Sequence, residues 1–272
     1  MSPDGRYAAY TVINNPAGGW TTVIREVKGR WKKEIKRVRD AHMTSDSRWV
    51  LLQGGDSLVV QWLGGEDRVI LKDVRSYQLV GKGGAERLVY LRNIPAGELV
   101  IRDLSYGKEI QYPGVKQYSI GEQSTGLLLE RTSKPDSTFG VSLYWLDIST
   151  GLERKIWEGG QAHDWVFAKG EGGLTFLTTT KNGAGTKEEL WYYRPGAEKA
   201  IKLAFDGQSG IDTTLILKRD VRPVFGRGAD RIFFCLTRRP KVLPPATGVQ
   251  VDIWHYKDLV LQSEQLMHLG EA

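Results

Sequence analysis

Apolar and polar positions along this chain fall into two kinds of short segment, and neither has a helical period. One kind is a hairpin: an apolar or aromatic strand, a polar turn that usually holds Gly, then a charged strand ending on an aliphatic side chain. It runs from Val23 through Gly29 to Ile35, from Leu58 through Gly64 to Leu71, and from Leu99 to Gly107. It recurs from Leu143 through Gly151 to Ile156 and from Leu190 through Gly196 to Leu203; a sixth copy, Ile253 to Asp258, lacks Gly. The second kind is a polar turn leading into a near-continuous apolar run, at 2–10, 45–52, 84–91, 124–129, 172–177 and 228–234. Apolar runs of that length suit strands buried on both faces. A third strand, at 39–43, 74–80, 115–120, 163–167 and 221–225, precedes every such turn but the first. Only 262–268 reads as a short helix.

The turn glycines Gly29, Gly64, Gly107, Gly151 and Gly196 are 35, 43, 44 and 45 residues apart. That is close to the ~40–50 residue period of four-stranded propeller blades. A tight hairpin turn asks for a positive φ, which Gly adopts without steric cost. Asp103 and Asp147 stand where a carboxylate would hold the turn backbone. The pattern predicts an all-β protein, a single β-propeller region over 1–272. About six four-stranded blades are visible, roughly 1–38, 39–73, 74–114, 115–160, 161–206 and 207–268. The chain opens inside a blade, and 266–272 offers no obvious replacement for the missing strand. Propellers close their ring because open strand edges invite aggregation. The expectation is therefore a part of a seven- or eight-bladed ring; a six-bladed ring sealed in another way is the alternative.

Composition adds limits. With 272 residues, 40% of them hydrophobic, the chain can bury a large core. No stretch approaches the ~18 apolar residues of a membrane-spanning helix, and the first residues do not resemble a secretory signal. The net charge of +6 comes partly from the tract 25–39. Trp31, Ile35 and Val38 interrupt it as buried strand positions would, so it reads as a solvated strand face and not as a nucleic-acid site. Cys235 is the only cysteine and lies in an apolar run, which predicts a buried structural thiol.

Candidate chemistry is sparse. His42, His163, His255 and His268 have no metal-ligand spacing, and no metal or cofactor is expected. His163-Asp164 has the composition of a base with an orienting carboxylate, but at a strand start it reads as structural hydrogen bonding. Glu171 and the pair Glu188-Glu189 flank Gly-rich turns and read as solvated loop. Gly-rich 181–187 has strands on both sides, so it is a hairpin loop and not a phosphate loop. Trp49, Trp62, Trp145, Trp191 and Trp254 fall in the repeats, as blade packing requires. The longest irregular stretch, 237–248, is basic and Pro-rich. Its Arg238, Arg239 and Lys241 are the candidate contacts to a substrate or a neighbouring domain.

The opening Ser2-Pro3-Asp4-Gly5-Arg6-Tyr7-Ala8-Ala9-Tyr10 resembles the Ser-Pro-Asp-Gly-(Lys/Arg) blade start shared by Tol-type propellers and the N-terminal propellers of the prolyl oligopeptidase family. Val251-Asp252-Ile253-Trp254-His255-Tyr256-Lys257-Asp258, with Leu261 to Leu266 after it, is similar to a propeller segment of large bacterial, Bacteroidetes-like members of that family. The resemblance implies a propeller lying over an α/β-hydrolase domain, gating peptide substrates, with a Ser-Asp-His triad on the hydrolase. Gly-x-Ser-x-Gly, the nucleophile pentapeptide, does not occur; 121–126 and 207–210 have the wrong spacing. No catalytic residue carries over, and the hydrolase is expected in cis, C-terminal to Ala272. The implied compartment is the periplasm or cell envelope, with no membrane span. A Tol-type propeller acting as a protein–protein scaffold is the alternative.

Overall fold

The computed structural model describes residues 1–14, 17–81, 86–121, 126–132, 140–170, 173–182, 185–219, 221–239 and 260. By internal contacts the chain divides into two units, Met1–Thr237 and Arg238–Ala272. The second contains only residues 238, 239 and 260 of the described set, so the architecture below is that of the first.

Every described element is a strand. A three-stranded sheet holds β1 (Tyr7–Ile13), β2 (Trp20–Glu26) and β3 (Lys32–Lys36). Four sheets of four strands follow, each built in chain order. They are β4 (Arg39–Met43) to β7 (Arg68–Leu71) by way of β5 (Trp49–Gly54) and β6 (Ser57–Trp62), then β8 (Val74–Val80), β9 (Arg87–Arg92), β10 (Glu98–Asp103) and β11 (Glu109–Pro113). Next come β12 (Val115–Ile120), β13 (Gly126–Thr132), β14 (Val141–Asp147) and β15 (Glu153–Gly159). The last four are β16 (Gln161–Phe167), β17 (Leu174–Asn182), β18 (Gly185–Tyr193) and β19 (Ile201–Phe205). All pairings within these five sheets are antiparallel between consecutive strands, the meander of a propeller blade. The fold is an all-β propeller.

Why the second strand of a blade carries consecutive apolar residues becomes clear from its two faces. On β5, Val50 and Leu52 pack with Tyr7, Ile24 and Ile35 of the first sheet, while Leu51 packs with Leu88, Tyr90 and Val100 of the third. On β9, Leu88 and Tyr90 face back; Val89 and Leu91 face forward, onto Leu127 and Leu129. Leu128, between those two on β13, joins Leu174 and Phe176 of the fifth sheet, and Leu177 passes the pattern on to Leu217. Successive side chains on a strand point to opposite faces, so one strand fills two seams. Each fully buried aliphatic contributes about 1.5–3 kcal/mol.

Aromatic side chains close the seams. Trp49 meets Trp62 edge-on at 4.8 Å between ring centroids, and Trp145 meets Tyr193 at 5.6 Å across the fourth and fifth sheets. Trp254 lies outside the described residues. In the basic tract, Ile35 and Val38 are buried and Lys32 and Lys36 exposed, as a solvated strand face demands.

The Ser2-Pro3-Asp4-Gly5 motif is a turn locked by its own side chains. Ser2 Oγ donates to Asp4 Oδ1 at 2.6 Å, and the Tyr7 and Arg6 amides donate back to Ser2 Oγ and Asp4 Oδ1. The second blade repeats it with Thr44 and Asp46, which receive the amides of Trp49 and Arg48. The motif is thus in register at Thr44, one residue before the Ser45 start read from the sequence. Asp147 accepts from the amides of Ser149 and Thr150, and Asp103 from those of Ser105 and Tyr106, so both hold their turns as expected. Of the five turn glycines, Gly29 alone does not take a positive φ.

Gly97 connects two blades by close approach. Its φ is +71°, a Cβ there would lie 2.1 Å from the Val115 carbonyl oxygen, and its own carbonyl accepts from the Gly114 amide. Gly97→Ala should lower the unfolding free energy by about 1–2 kcal/mol, read as a lower urea midpoint. An unchanged midpoint would show that this junction yields freely.

Beyond β19 the described chain does not form a four-stranded sheet. β20 (Leu215–Leu217) pairs with β23 (Leu236–Arg238), and β21 (Val224–Phe225) with β22 (Ile232–Phe233). The expected hairpin at 253–258 and the helix at 262–268 fall outside the described residues. One expectation is corrected here: Cys235 is exposed, not a buried thiol. The apolar run around it is split between β22 and β23, which leaves Phe233 and Phe234 exposed as well.

Candidate functional site

The first strand of a blade carries a recurrent irregularity. Register shifts by one residue between Arg39 and His42 on β4, between Val74 and Ser76 on β8, between Val115 and Gln117 on β12, and between His163 and Val166 on β16. These are β-bulges, which twist a strand and re-aim a side chain. Asp40 and Asp164 within them have φ of 53° and 52°, and Asp73 and Gly114 immediately before the other two have 58° and 76°. Each bulge sets a charged residue loose from the ladder, Asp40, Arg75, Lys116 and Asp164, joined by Ala41 and Trp165 in the two longer ones.

Beside β4 and β8 these bulges open onto a cleft of about 1070 Å³. Asp40, Arg75 and Ser76 line it near the N-terminal ends of the two strands. Leu79, Val80 and Gly81 line it at the other end, joined by Ile120 and Gly121 from the end of β12. His42 and Tyr77 stand between. Tyr77 Oη lies 2.6 Å from His42 Nδ1. Burial, and secondarily the Asp40 carboxylate, push the Tyr77 phenol up to about 12. The phenol therefore keeps its proton, and the two rings share one hydrogen bond. The cleft thus combines an acid, a cation, a hydrogen-bonded ring pair and an apolar end, the mixture of a binding site rather than of a nucleophile with its base.

His163 forms a second cluster. Its Nδ1 lies 2.9 Å from Asp164 Oδ2, and its Nε2 lies 3.0 Å from Thr179 Oγ1 and 3.2 Å from Glu188 Oε2. Thr179 donates to Glu188 Oε1 at 2.7 Å, while Arg222 donates to Asp164 at 2.9 Å and Arg219 lies 3.6 Å from Glu188. The bond to Glu188, against the opposing effect of burial, raises the His163 pKa, and Asp164 adds to the rise. On Asp164 burial alone acts upward; His163 and Arg222 together outweigh it and hold the carboxyl below its ordinary range. A general base needs one ring nitrogen free for substrate. Both nitrogens of His163 face carboxylates, so the pair is structural, as its place at a strand start implied.

Glu188 corrects an expectation. It is not solvated loop; it sits in β18, 5% exposed, because β17 and β18 extend the hairpin to nine residues each. Its neighbour Glu189 is half-buried and pairs with Lys202. Leu190, two positions along and fully buried, was the signal that Glu188 shares an inward face. The Gly-rich segment is a hairpin connection, with Asn182 paired to Gly185; Glu171 lies outside the described residues. Arg238 and Arg239 are exposed, and Lys241 falls outside the described set. Among the described residues no group of three or more His, Cys, Asp or Glu has the arrangement of a metal site.

The sequence matches no protein-family model and no curated protein. Among solved structures it is similar to the β-propeller domain of the Trilobed protease from Pyrococcus furiosus, described as an open velcro topology. Identity there is 15%, with 72% of this chain and 68% of that one covered and a TM-score of 0.43. The Pyrococcus horikoshii acylaminoacyl peptidase is similar at 14% identity and a TM-score of 0.41, over 69% of this chain but 36% of that one. TolB from Acinetobacter baumannii follows at 13% identity and a TM-score of 0.38, with 85% and 58% covered. At such identities and TM-scores the likeness carries nothing about activity.

Proposed function

We propose that this propeller is the non-catalytic portion of a prolyl-oligopeptidase-like serine hydrolase, gating peptide substrates and docking an α/β-hydrolase domain of the same polypeptide. The observation that carries the reading is the cleft along β4 and β8, where bulges on consecutive blades turn polar side chains toward a space of peptide size. The Ser-Pro-Asp-Gly-Arg turn of the first blade supports it by resemblance. In this reading Arg238, Arg239 and Lys241 contact the hydrolase domain or the substrate, and the protein works in the periplasm or cell envelope. Gating is steric: the blades admit an extended chain and turn away a folded one.

Two measurements test the reading. The gene sequence beyond the Ala272 codon should continue in frame into a Gly-x-Ser-x-Gly segment with later Asp and His. A stop codon there would transfer support to a Tol-type scaffold that offers its loops to a protein partner. A fluorophosphonate probe should leave the 272-residue chain unlabelled, and covalent labelling would overturn its assignment as the non-catalytic part.

A further inference from the structure

The cleft holds two opposite charges that do not satisfy each other. Asp40 and Arg75 lie in the bulges of neighbouring blades, and both are exposed. Among the described residues neither makes an ion pair or a side-chain hydrogen bond. Yet both line the same concavity. Charges of opposite sign held apart in one site are complementary to a ligand that carries both signs. The groups around them narrow the ligand further. The hydrogen-bonded pair of Tyr77 and His42 stands between the two ends and adds polar ring atoms to the wall. Leu79 and Ile120 give the far end an apolar wall. A space of about 1070 Å³ matches the range that takes ligands of several residues and exceeds the needs of one amino acid.

We infer that the cleft binds a short peptide with both ends free, its α-ammonium on Asp40, its α-carboxylate on Arg75, and an apolar side chain against Leu79 and Ile120. The inference rests on the reading of this cleft as a peptide site and adds to it the class of peptide. Longer chains, which would have to bring one terminus in and leave the other outside, gain only one of the two charge contacts. The cleft therefore favours oligopeptides of product size over long substrates.

Titration calorimetry on the full chain with the tripeptide Ala-Leu-Ala tests this, alongside its N-acetyl form, its C-terminal amide, the doubly blocked form and free leucine. Each single block should weaken binding roughly tenfold, as loss of a charge-assisted contact does. Asp40→Asn should abolish the penalty of acetylation and leave that of amidation, and Arg75→Gln should do the reverse. Both positions are exposed, and unchanged thermal unfolding of the two variants confirms that they fold. If the doubly blocked peptide binds as tightly as the free one, or leucine does, the class assigned here is wrong while the peptide site stands. If no form of the tripeptide binds, the cleft is not a peptide site and both readings fail together.

Discussion

Replacing Phe176 by alanine should cost about 3–5 kcal/mol of unfolding free energy, the largest loss expected from a single truncation in this protein. The side chain is fully buried in the seam between the fourth and fifth sheets, packed with Leu128, Leu143 and Trp145. Trp157 approaches it edge-on at 5.9 Å between centroids, and Trp191 stacks parallel to it at 6.4 Å. Truncation removes the transfer energy of the ring and leaves a hole between rigid neighbours, which collapse only in part. Urea unfolding followed by tryptophan fluorescence reads the effect directly, because Trp145, Trp157 and Trp191 line the cavity. Phe176→Leu should recover most of the loss. Leu152→Ala, at a side chain 72% exposed, should change stability by no more than about 0.5 kcal/mol. Equal losses at 176 and 152 would mean that the seams do not carry the stability.

The second large effect is one of charge and pH. Glu188→Ala should destabilise the protein by about 2–3 kcal/mol. The carboxylate is buried, and its removal takes the acceptor of the Thr179 hydroxyl hydrogen and one of the two carboxylates beside His163; the figure is modest for a buried pair because His163 is partly solvated and keeps its bond to Thr179. The pH dependence has a definite sign. Folding raises the His163 pKa above its ordinary 6.5. The imidazolium therefore adds stability in full below that ordinary value, and the contribution is lost as pH rises through the folded value. Asp164, whose pKa is lowered, adds stability above the ordinary carboxylate range, and this fades as pH falls through its folded value. The cluster is at full strength between those limits. Stability of the wild-type chain should fall as pH rises above 6.5, and His163→Gln should flatten that slope. A wild-type midpoint that rises with pH above 6.5 would contradict the arrangement.

What could be read from the amino acids follows the physics of burial. Leu88-Val89-Tyr90-Leu91 and Leu127-Leu128-Leu129 announced strands hidden on both sides, because stacking between blades buries successive positions against opposite neighbours. Asp103 and Asp147 announced their turns, because a carboxylate two residues before an amide has few other uses there. The bulges were invisible. An extra residue in the solvated first strand of a blade disturbs no apolar alternation, so nothing marks Asp40 or Arg75 as displaced. For the same reason the cleft had no sequence signature: its residues are unremarkable one at a time and meet only through successive blades. Glu188 was misread because a charged pair beside glycines looks like loop, and only the length of the β17–β18 hairpin puts it inside. Cys235 was misread because an apolar run predicts burial only if one sheet takes all of it.

Strands that serve two neighbours at once also limit how this chain can change its length. A single residue inserted into β9 would exchange the sides of Leu88 and Val89, offering each neighbour the other's contacts and spoiling both. Gain or loss of one whole module, by contrast, returns every outward pattern to the partner it was made for. Growth and shrinkage in such a polypeptide are thereby quantised, tolerated in the hairpin tips or in units of a full blade and opposed almost everywhere between.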